Sequence, residues 1–492
     1  MPGVICISAS GKVLLAGGYL VLDPEYSGTV VAASSRFFTI LRPSSSQLSE
    51  IIVRSPQFYD ALWNYSVSIE SGVSLESNLA NSNKFVEAAI RETLSLGLAH
   101  YGSERIQEWL RIGLEIVIAG DNDFYSQRNR LASLGLSPTL ENSQSLERFA
   151  DTGTTLKNAH KTGLGSSAAL ITSLVASLLV YLRLAGPEAP SGSRFSEKAL
   201  ALIHNTSQYV HCLAQGKVGS GFDVASAVYG SHLYTRFDPS VIKPLMASTR
   251  PPPAELLNVL SPSNIQWNQR VRPFHLPPRT RLMLADVSAG SDTPSLVNRV
   301  LKWRAENAAQ AKQLWDTIAS LNERFTEALH QLAKLSQEEP LKYGMLMRDT
   351  AESSISTWGT SGMSKEKQQI VEVKASAEEI RRKMKLMGEL SDVPIEPAEQ
   401  TRLLDACMSK PGVIAGGVPG AGGYDAVWLL LAEPEDMALA KRITDEVQKL
   451  WLSWTEMAVT PLPATESRVS GLKIEVMSEV AGIQNLLEKC QY

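Results

Sequence analysis

The strongest chemical signal in the chain is a segment rich in glycine and serine, KTGLGSSA, which leads into a long apolar run. The residues of this loop are Gly163, Leu164, Gly165, Ser166, Ser167 and Ala168. Glycine lets the backbone approach an anion closely, and the unpaired amides at the start of a helix carry partial positive charge. The segment therefore predicts a phosphate-binding loop, in which two hydroxyls add donors and Ser167 is a candidate Mg²⁺ ligand.

This loop differs from two widespread phosphate-binding signatures. A GxxxxGK[ST] sequence is absent, and Lys161 precedes the glycines instead of following them. The GxGxxG signature of dinucleotide-binding proteins is absent as well. Considered by itself, the segment is also compatible with an ordinary glycine-rich turn capped by serine.

Two further segments place a charged residue beside glycine. In SASGKVLLAGGYLVL, Lys12 follows Gly11 at the start of a predicted strand, and Tyr19 follows a Gly-Gly pair. In QGKVGSGFDVASAVYGS, Asp223 lies between a glycine-rich turn and small residues that permit close approach of a substrate. A carboxylate at that place can orient a hydroxyl or phosphate nucleophile. The alternatives are a solvated lysine at a strand end and an aspartate that caps a turn.

A third glycine-rich segment, PGVIAGGVPGAGGYDAVWLLL, precedes a strongly apolar run. Its glycines are Gly416, Gly417, Gly420, Gly422 and Gly423. They predict a loop before a buried strand, able to close around a nucleotide.

The elements that must position these residues follow from the hydrophobic pattern. Residues 4–40 alternate short apolar runs with Gly and Ser, which predicts the strands and turns of an N-terminal sheet. Helical spacing recurs at residues 83–98 and 295–390, and strands are expected in IGLEIVIAG, RLMLADVS and DAVWLLLAE. Residues 121–160 predict a long surface excursion, and EPEDMALAKRITDEVQKLWLSW predicts a closing helix. The pattern is that of mixed α and β structure.

The composition limits the classes of function. The 492 residues include 47 Lys and Arg against 51 Asp and Glu, for a net charge of -4, so no global basic field attracts nucleic acid. The longest apolar stretch, residues 168–182, is shorter than the ~20 residues that cross a bilayer. Four cysteines without a CxxC pair favour a reducing compartment, with the cytoplasm as the expected location. We therefore expect small-molecule partners, without nucleic acid or membrane, and the sequence identifies no protein partner.

In their order along the chain, these motifs resemble those of the galactokinase, homoserine kinase, mevalonate kinase and phosphomevalonate kinase (GHMP) superfamily. The segments AGGYLVL, DTGTTLKNAHKTGLGSSAAL, QGKVGSGFDVASAVYGS and IEPAEQTRLLD are most similar to its fungal-type phosphomevalonate kinase branch. The likeness implies an α+β, two-domain GHMP kinase fold. A ribosomal-protein-like α/β domain with the ATP phosphate loop is expected at residues 1–250, and a ferredoxin-like α/β domain with the third glycine motif at residues 280–492. The active site would lie in the cleft between them.

The resemblance also implies a reaction. It is the ATP-dependent phosphorylation of (R)-5-phosphomevalonate to (R)-5-diphosphomevalonate, in the mevalonate route to isoprenoids and sterols, with ATP and Mg²⁺ as cofactors. By this likeness Lys12, Lys161 and Asp223 are catalytic, and the phosphate loop binds ATP. Phosphoryl transfer depends mainly on in-line positioning and charge neutralisation, so lysines and helix amides matter more than a strong base.

The acceptor is expected to contact a different set of residues. Tyr19 and Ser220 are assigned to the substrate side, and Lys217 is the candidate for the acceptor's phosphate. The segment SAGSDTPSLV places Ser291 just after a predicted strand, where its hydroxyl would reach an acidic substrate. A helix N-cap is an equally good explanation of that serine.

The chain departs from the superfamily pattern at several places. Ser10 stands where proline is common in the first motif, and Gly18 stands where an acidic residue is common. Mevalonate kinases carry a glutamate magnesium ligand before the catalytic aspartate, whereas this chain has His211 and Cys212 in that region. No carboxylate ligand is therefore assigned, and Ser167, nucleotide oxygens and water are expected to hold Mg²⁺. Without an HExxH motif or a Cys/His cluster, His211 is expected in a core or surface role.

Two other functions remain open at the level of sequence. A related kinase with an alcohol acceptor, such as mevalonate, would use the same motifs. A catalytically silent sensor would keep the nucleotide loop and act through a partner, although the presence of both Lys12 and Asp223 argues against it.

Overall fold

The computed structural model describes residues 3–44, 50–70, 72–77, 82–188, 192, 194–287, 293–359, 362–469 and 471–490. The strands are β1 Ile5–Ala16, β2 Ser27–Pro43, β3 Glu50–Arg54, β4 Leu62–Ser68, β5 Ser74–Ser77, β6 Leu114–Gly120, β7 His232–Thr235, β8 Arg270–Pro273, β9 Thr280–Val287, β10 Val413–Gly417, β11 Ala426–Ala432, β12 Val459–Leu462 and β13 Leu472–Ile474. The helices are α1 Lys84–Tyr101, α2 Ser103–Leu110, α3 Arg128–Ser133, α4 Leu140–Ser145, α5 Ser166–Tyr181, α6 Glu197–Gln215, α7 Phe222–Tyr229, α8 Lys243–Ala247, α9 Pro253–Leu260, α10 Thr293–Glu306, α11 Ala308–Glu338, α12 Pro340–Glu352, α13 Lys365–Ser391, α14 Ala398–Met408, α15 Met437–Leu452 and α16 Ile483–Glu488.

The first sheet carries the N-terminal motif on its long strand β1. Its strand order is β13-β1-β2-β6-β3-β4-β5, and β7 and β8 extend it from β2. Helix α5 is apolar on nearly all sides and packs on β1 and β2, with α1 and α6 beside it. The register of the β1–β2 pair shifts between Ser10 and Lys12, so a strand irregularity lies next to the lysine of the first motif. Such irregularities redirect the side chains around them.

The second sheet has the strand order β10-β11-β9-β12 and is antiparallel throughout. Strand β11 is buried along its whole length, as its apolar sequence AVWLLLA predicts. Helices α11 and α13 pack along each other, and α11 also reaches the first sheet. There the hydroxyls of Thr29 and Thr326 are 2.8 Å apart, and the rings of Tyr26 and Trp315 meet edge to face. The long helices therefore connect the two sheets.

The last part of the chain returns to the first sheet. Strand β13 pairs antiparallel with β1, and the Arg36 guanidinium donates to the Gly471 carbonyl at 2.6 Å. The Ser8 hydroxyl donates to the Glu475 carboxylate at 2.6 Å. The prediction that α15 closes the chain is therefore wrong. The strands that follow α15 have only three or four residues, too few for an alternating pattern to show in the sequence.

The predicted α+β class is confirmed. The helix expected at residues 83–98 is α1, whose N-cap Asn83 accepts a hydrogen bond from the Phe85 amide at 3.1 Å. The division of the chain at residues 1–250 and 280–492 stays a prediction, and the topology adds that β8 and β13 belong to the first sheet. Among the described residues, no helix combines the length and the apolar character that a membrane crossing requires.

Candidate active site

The phosphate loop ends where α5 begins. Gly165 is the N-cap of α5 and has the left-handed conformation, with φ of 78°, and Gly163 has φ of 79°. The N-cap Gly165 has no side chain that could cap the first turn of α5, so the amides of Ser166, Ser167 and Ala168 can donate to a ligand. The predicted helix start is therefore a helix N-terminus prepared for an anion.

Lys12 holds this loop through both its backbone and its side chain. Its backbone amide donates to the Leu164 carbonyl at 2.9 Å, and its ammonium donates to the Gly163 carbonyl at 2.8 Å. A Cβ added at Gly165 would lie 3.0 Å from Lys12 Cγ, so the lysine stem lies directly against the glycine. The structure brings the first and second motifs into direct contact.

The surroundings of Lys12 act on its pKa in two opposite directions. Burial lowers the pKa of Lys12, and the carboxylates of Asp223 and Asp425 oppose that shift. The Lys12 ammonium also lies 5.3 Å from the centre of the Phe222 ring. Asp425 and Phe222 are not among the site residues predicted from the sequence, because only the fold places the third glycine motif and the start of α7 beside β1.

Asp223 lies in the first turn of α7, two residues after the left-handed Gly221. Its Oδ1 accepts from the Val224 amide at 3.0 Å. Helix α7 packs on β1, where the Ser10 hydroxyl donates to the Ser226 carbonyl at 3.1 Å. Ser10 thus fastens α7 to the strand that bears the lysine, which gives a physical reason for serine at this position.

His211 lies between α5 and α7. Its Nε2 is 3.1 Å from the Ser167 hydroxyl and 3.0 Å from Nε2 of Gln215, while its Nδ1 is 3.9 Å from Oδ2 of Asp223. The side chain is buried, and burial lowers the pKa of His211, against the opposing effect of Asp223. The expected core role therefore describes His211 only in part, since its ring also contacts Ser167 of the phosphate loop.

A cavity of about 160 Å³ opens at the Lys12 ammonium. The predicted site residues that line it are Lys12, Tyr19, Gly163 and Ser220. The other lining residues include Phe222, Gly420 and Asp425. Lys161 and Lys217 are exposed and lie outside this lining, and nearby protein atoms lower the pKa of Lys161. Ser291 lies outside the described residues.

Tyr19 has an unusual backbone conformation at the edge of this cavity. Its φ is 62°, which is uncommon for a residue with a side chain, and its hydroxyl donates to the Ala421 carbonyl at 2.8 Å. A Cβ at the preceding Gly18 would lie 2.4 Å from the Gly420 carbonyl oxygen. The departure from the superfamily's acidic residue therefore has a steric reason, because the third glycine loop occupies that space.

The segment IEPAEQ holds the third glycine loop through two hydrogen bonds. The Gly423 amide donates to the Ile395 carbonyl at 2.8 Å, and the Gln400 amide donates to the Gly423 carbonyl at 3.1 Å. Gly422 has φ of 72°, and a Cβ there would lie 2.0 Å from the Ile395 carbonyl oxygen. Glycine is therefore required where this loop meets the start of α14.

A second, larger cavity lies on the N-terminal side of the phosphate loop. Its volume is about 590 Å³, and its lining includes Tyr59, Arg128, Thr154 and His160, the residue before Lys161. Gly163, three residues after His160, lines the smaller cavity at Lys12.

The buried carboxylate of Asp286 links the wall of this larger cavity to the second sheet. It accepts from the Ser126 hydroxyl at 2.6 Å and lies 3.5 Å from both Arg128 and His160. The hydrogen bond to Asp286 raises the pKa of His160. Asp286 belongs to β9, so both sheets contribute to this part of the site.

The arrangement fits a magnesium-dependent phosphoryl transfer in its donor chemistry. Mg²⁺ prefers oxygen ligands and usually keeps several waters, with few ligands from the protein. The Ser167 hydroxyl lies in the first turn of α5, beside backbone amides that can donate to phosphate oxygens. Within the described ranges, no group of three or more His, Cys, Asp or Glu side chains is placed to hold a metal.

Two sheets with a glycine-rich helix N-terminus, a lysine and an aspartate between them define a small-molecule kinase of the GHMP type. Residues 370–451 match the family model described as GHMP kinases C terminal. A phosphomevalonate kinase of Aspergillus fumigatus is 37% identical over 474 residues, which cover 89% of this chain and 89% of the relative. The chain belongs to the phosphomevalonate kinase family.

Two further comparisons extend over most of the chain. The Arabidopsis thaliana protein named phosphomevalonate kinase, peroxisomal, is 36% identical over 458 residues, which cover 87% of this chain and 89% of the relative. The phosphomevalonate kinase of Streptococcus pneumoniae, solved with phosphomevalonate and AMPPNP, has a TM-score of 0.56 and 14% identity. That alignment covers 94% of this chain and all of the other, and it shows a shared fold.

Proposed function

We propose that the protein transfers the γ-phosphoryl group of ATP to (R)-5-phosphomevalonate, giving ADP and (R)-5-diphosphomevalonate on the mevalonate route to isoprenoids and sterols. The observation that carries the proposal is the position of Lys12. Its ammonium is bonded to the Gly163 carbonyl of the phosphate loop, faces the Asp223 and Asp425 carboxylates and lines a small cavity. Family membership supplies the identity of the acceptor.

ATP is assigned to the amides of the phosphate loop and to the larger cavity. The phosphates lie on the amides of Ser166, Ser167 and Ala168, where the first turn of α5 has no side-chain cap. The nucleoside takes the larger cavity, whose polar lining ends at His160, next to the loop. Lys161, an exposed residue between His160 and the phosphate loop in sequence, adds a positive charge to the donor phosphates.

The acceptor takes the smaller cavity. A terminal oxygen of its phosphate attacks the γ-phosphorus of ATP, the bond to the bridging oxygen breaks, and ADP leaves with the electron pair. A phosphate monoester is already anionic near neutral pH, so no strong base is needed. Lys12 neutralises the charge that spreads over the transferring group, while Asp223 balances Lys12 and orients it.

The remaining predicted residues complete the acceptor site. Tyr19 and Ser220 line the smaller cavity, and Lys217, exposed after α6, supplies a cation for the acceptor's own phosphate. Ser291 follows β9 in sequence and is proposed as a further hydroxyl contact.

Magnesium is part of the proposal, with Ser167 as the protein residue that holds it. When bound, the ion neutralises the charge of the phosphates and fixes the orientation of their oxygens. A cytoplasmic location is also proposed. It is supported by four buried thiols, none in a disulfide: Cys6, Cys212, Cys407 and Cys490.

An ADP-release assay with MgATP tests this function on the purified protein, with phosphomevalonate, mevalonate, galactose and homoserine offered separately. Turnover with phosphomevalonate alone, and ³¹P NMR signals of a new diphosphate, are expected. Turnover with mevalonate but not phosphomevalonate would establish the kinase with an alcohol acceptor. ATP binding without turnover of any acceptor would establish the silent sensor.

A further inference from the structure

His211 is the one described side chain for which hydrogen-bond or ion-pair contacts reach both Ser167 of the phosphate loop and Asp223 of α7. It lies one turn before the C-terminal end of α6, and only 3% of its surface is exposed. Its two ring nitrogens face different partners, Nε2 towards Ser167 and Nδ1 towards Asp223. One imidazole therefore connects the helix that receives ATP with the helix that bears the predicted catalytic aspartate.

The neighbours of Nε2 indicate which ring nitrogen carries the proton. The Gln215 amide nitrogen lies 3.0 Å from Nε2, and an amide nitrogen only donates. With the amide in this orientation Nε2 accepts, which assigns the proton of the neutral ring to Nδ1. Nδ1 lies 3.9 Å from the Asp223 carboxylate, which attracts the N–H without a direct hydrogen bond. The surroundings on both sides agree with the same tautomer.

This tautomer determines the direction of the Ser167 hydroxyl. The single lone pair of Nε2 is shared by two donors, the Gln215 amide and the Ser167 hydroxyl at 3.1 Å, so the hydroxyl hydrogen turns towards the ring and the lone pairs of its oxygen point away. An oxygen held in that way can bind a cation but has no hydrogen left for a phosphate oxygen. Ser166, whose hydroxyl has no such acceptor among the described hydrogen bonds, remains the free donor of the loop.

We propose that His211 is a positioning residue: its Nε2 binds the hydrogen of the Ser167 hydroxyl, which turns Ser167 into a cation ligand, and its Nδ1–H faces Asp223. The proposal rests on the proposed binding of ATP and Mg²⁺. It assigns a chemical role to the histidine in the region where mevalonate kinases carry a glutamate. The glutamate carboxylate of mevalonate kinases is thus replaced by the neutral imidazole of His211, which acts through the hydroxyl of Ser167.

The tautomer can be measured on the wild-type protein without nucleotide or metal. The chain has 7 histidines, so ¹⁵N labelling of histidine gives a short set of ring signals, which His211→Gln assigns. A protonated Nδ1 and an unprotonated Nε2 are expected for His211 above pH 7. A protonated Nε2 would overturn the proposal, whatever the enzyme's substrate proves to be.

Binding of the ATP analogue AMPPNP, measured by calorimetry with Mg²⁺ and with EDTA, tests the consequence for Ser167. His211→Ala should weaken binding in Mg²⁺ by about 10-fold or more, the size of effect known for residues that orient metal ligands, and leave binding in EDTA unchanged. His211→Gln should restore much of the loss, because its amide oxygen accepts a hydroxyl hydrogen. Equal losses in Mg²⁺ and EDTA would contradict the proposal.

Two further variants separate positioning from structural damage. His204→Gln changes another buried histidine of α6, which contacts Asn205 and Gln269 rather than the phosphate loop, and should leave the magnesium effect intact. In a Ser167→Ala background, His211→Ala should cause no further loss of magnesium-dependent binding. An additive loss would mean that His211 does not act through Ser167. Absence of phosphomevalonate turnover alone would overturn the proposed function and leave this one standing.

Discussion

At the scale of single residues, Lys12 joins the two motifs that the reaction needs. The Leu164 carbonyl fixes its backbone, and the Gly163 carbonyl fixes its ammonium. The stem lies so close to Gly165 that a residue with a side chain there would displace it. The contact explains why the phosphate loop contains glycine at this position, beyond the close approach of a phosphate.

Replacing Lys12 by methionine tests the charge while keeping most of the stem. Lys12→Met should lower kcat by about 10²–10³-fold, the cost of removing one preorganised donor from a developing charge. Steady-state kinetics with both substrates checks this. Lys489→Met, which removes an exposed lysine paired with Glu147, is the matched control and should keep the wild-type rate. A Lys12→Met enzyme of normal kcat would remove Lys12 from the catalytic site.

Replacing Asp223 should change the pH dependence of the rate. Its carboxylate opposes the lowering of the pKa of Lys12 by burial, so Asp223→Asn should lower that pKa further. The activity that depends on protonated Lys12 should then be lost at lower pH than in the wild type. The pH profile of kcat measures the shift of the alkaline limb. An unchanged limb would show that the Lys12 ammonium does not control the rate.

At the scale of elements, the sequence predicted those parts whose signal is local. Helix α5 follows from the apolar run after GLGSSA, and α1 follows from the spacing of its apolar residues. The sequence could not reveal that His211 touches Ser167, because 44 residues separate them and only the packing of α6 on α5 brings them together. The return of β13 to β1 was hidden for the same reason.

The turn at Gly18 and the third glycine loop form one unit across the site. A Cβ at residue 18 would meet the Gly420 carbonyl oxygen at 2.4 Å, and neither side of this contact is a flexible side chain. Tyr19, held in a strained conformation next to that turn, bonds to Ala421 of the same loop. Both loops line the cavity of the proposed acceptor, so their mutual position sets its shape.

Gly18→Ala should push these two loops apart. The expected result is a rise in KM for phosphomevalonate of about 10-fold or more, with a smaller change for ATP, because a misplaced contact of about 1 Å has large kinetic effects. Gly186→Ala is the matched control, since a Cβ there meets nothing within 4 Å and the backbone is not left-handed. Equal kinetics of the two variants would show that the loops tolerate separation.

At the scale of the whole molecule, buried histidines make the stability of the first sheet depend on pH. Burial lowers the pKa of His204 and of His232 to about 4 in each case. His204 lies in α6 between the rings of Tyr229 and Trp267, and His232 lies in β7. Asp123 acts in the opposite sense, because burial raises its pKa to about 6 and its protonation at low pH favours the folded state.

Lowering the pH should therefore destabilise the protein before most of its carboxylates are protonated. A histidine with a depressed folded-state pKa stabilises the fold above the unfolded value of about 6.5, and that stability is lost as the pH falls towards 4. Each shift corresponds to about 3 kcal/mol at most, and Asp123 offsets part of the sum. Urea unfolding between pH 7.5 and 4.5 measures the loss. His204→Gln should flatten this dependence, while His100→Gln, at an exposed position, should not. If His204→Gln left the slope unchanged, another group would control the acid stability of the first sheet.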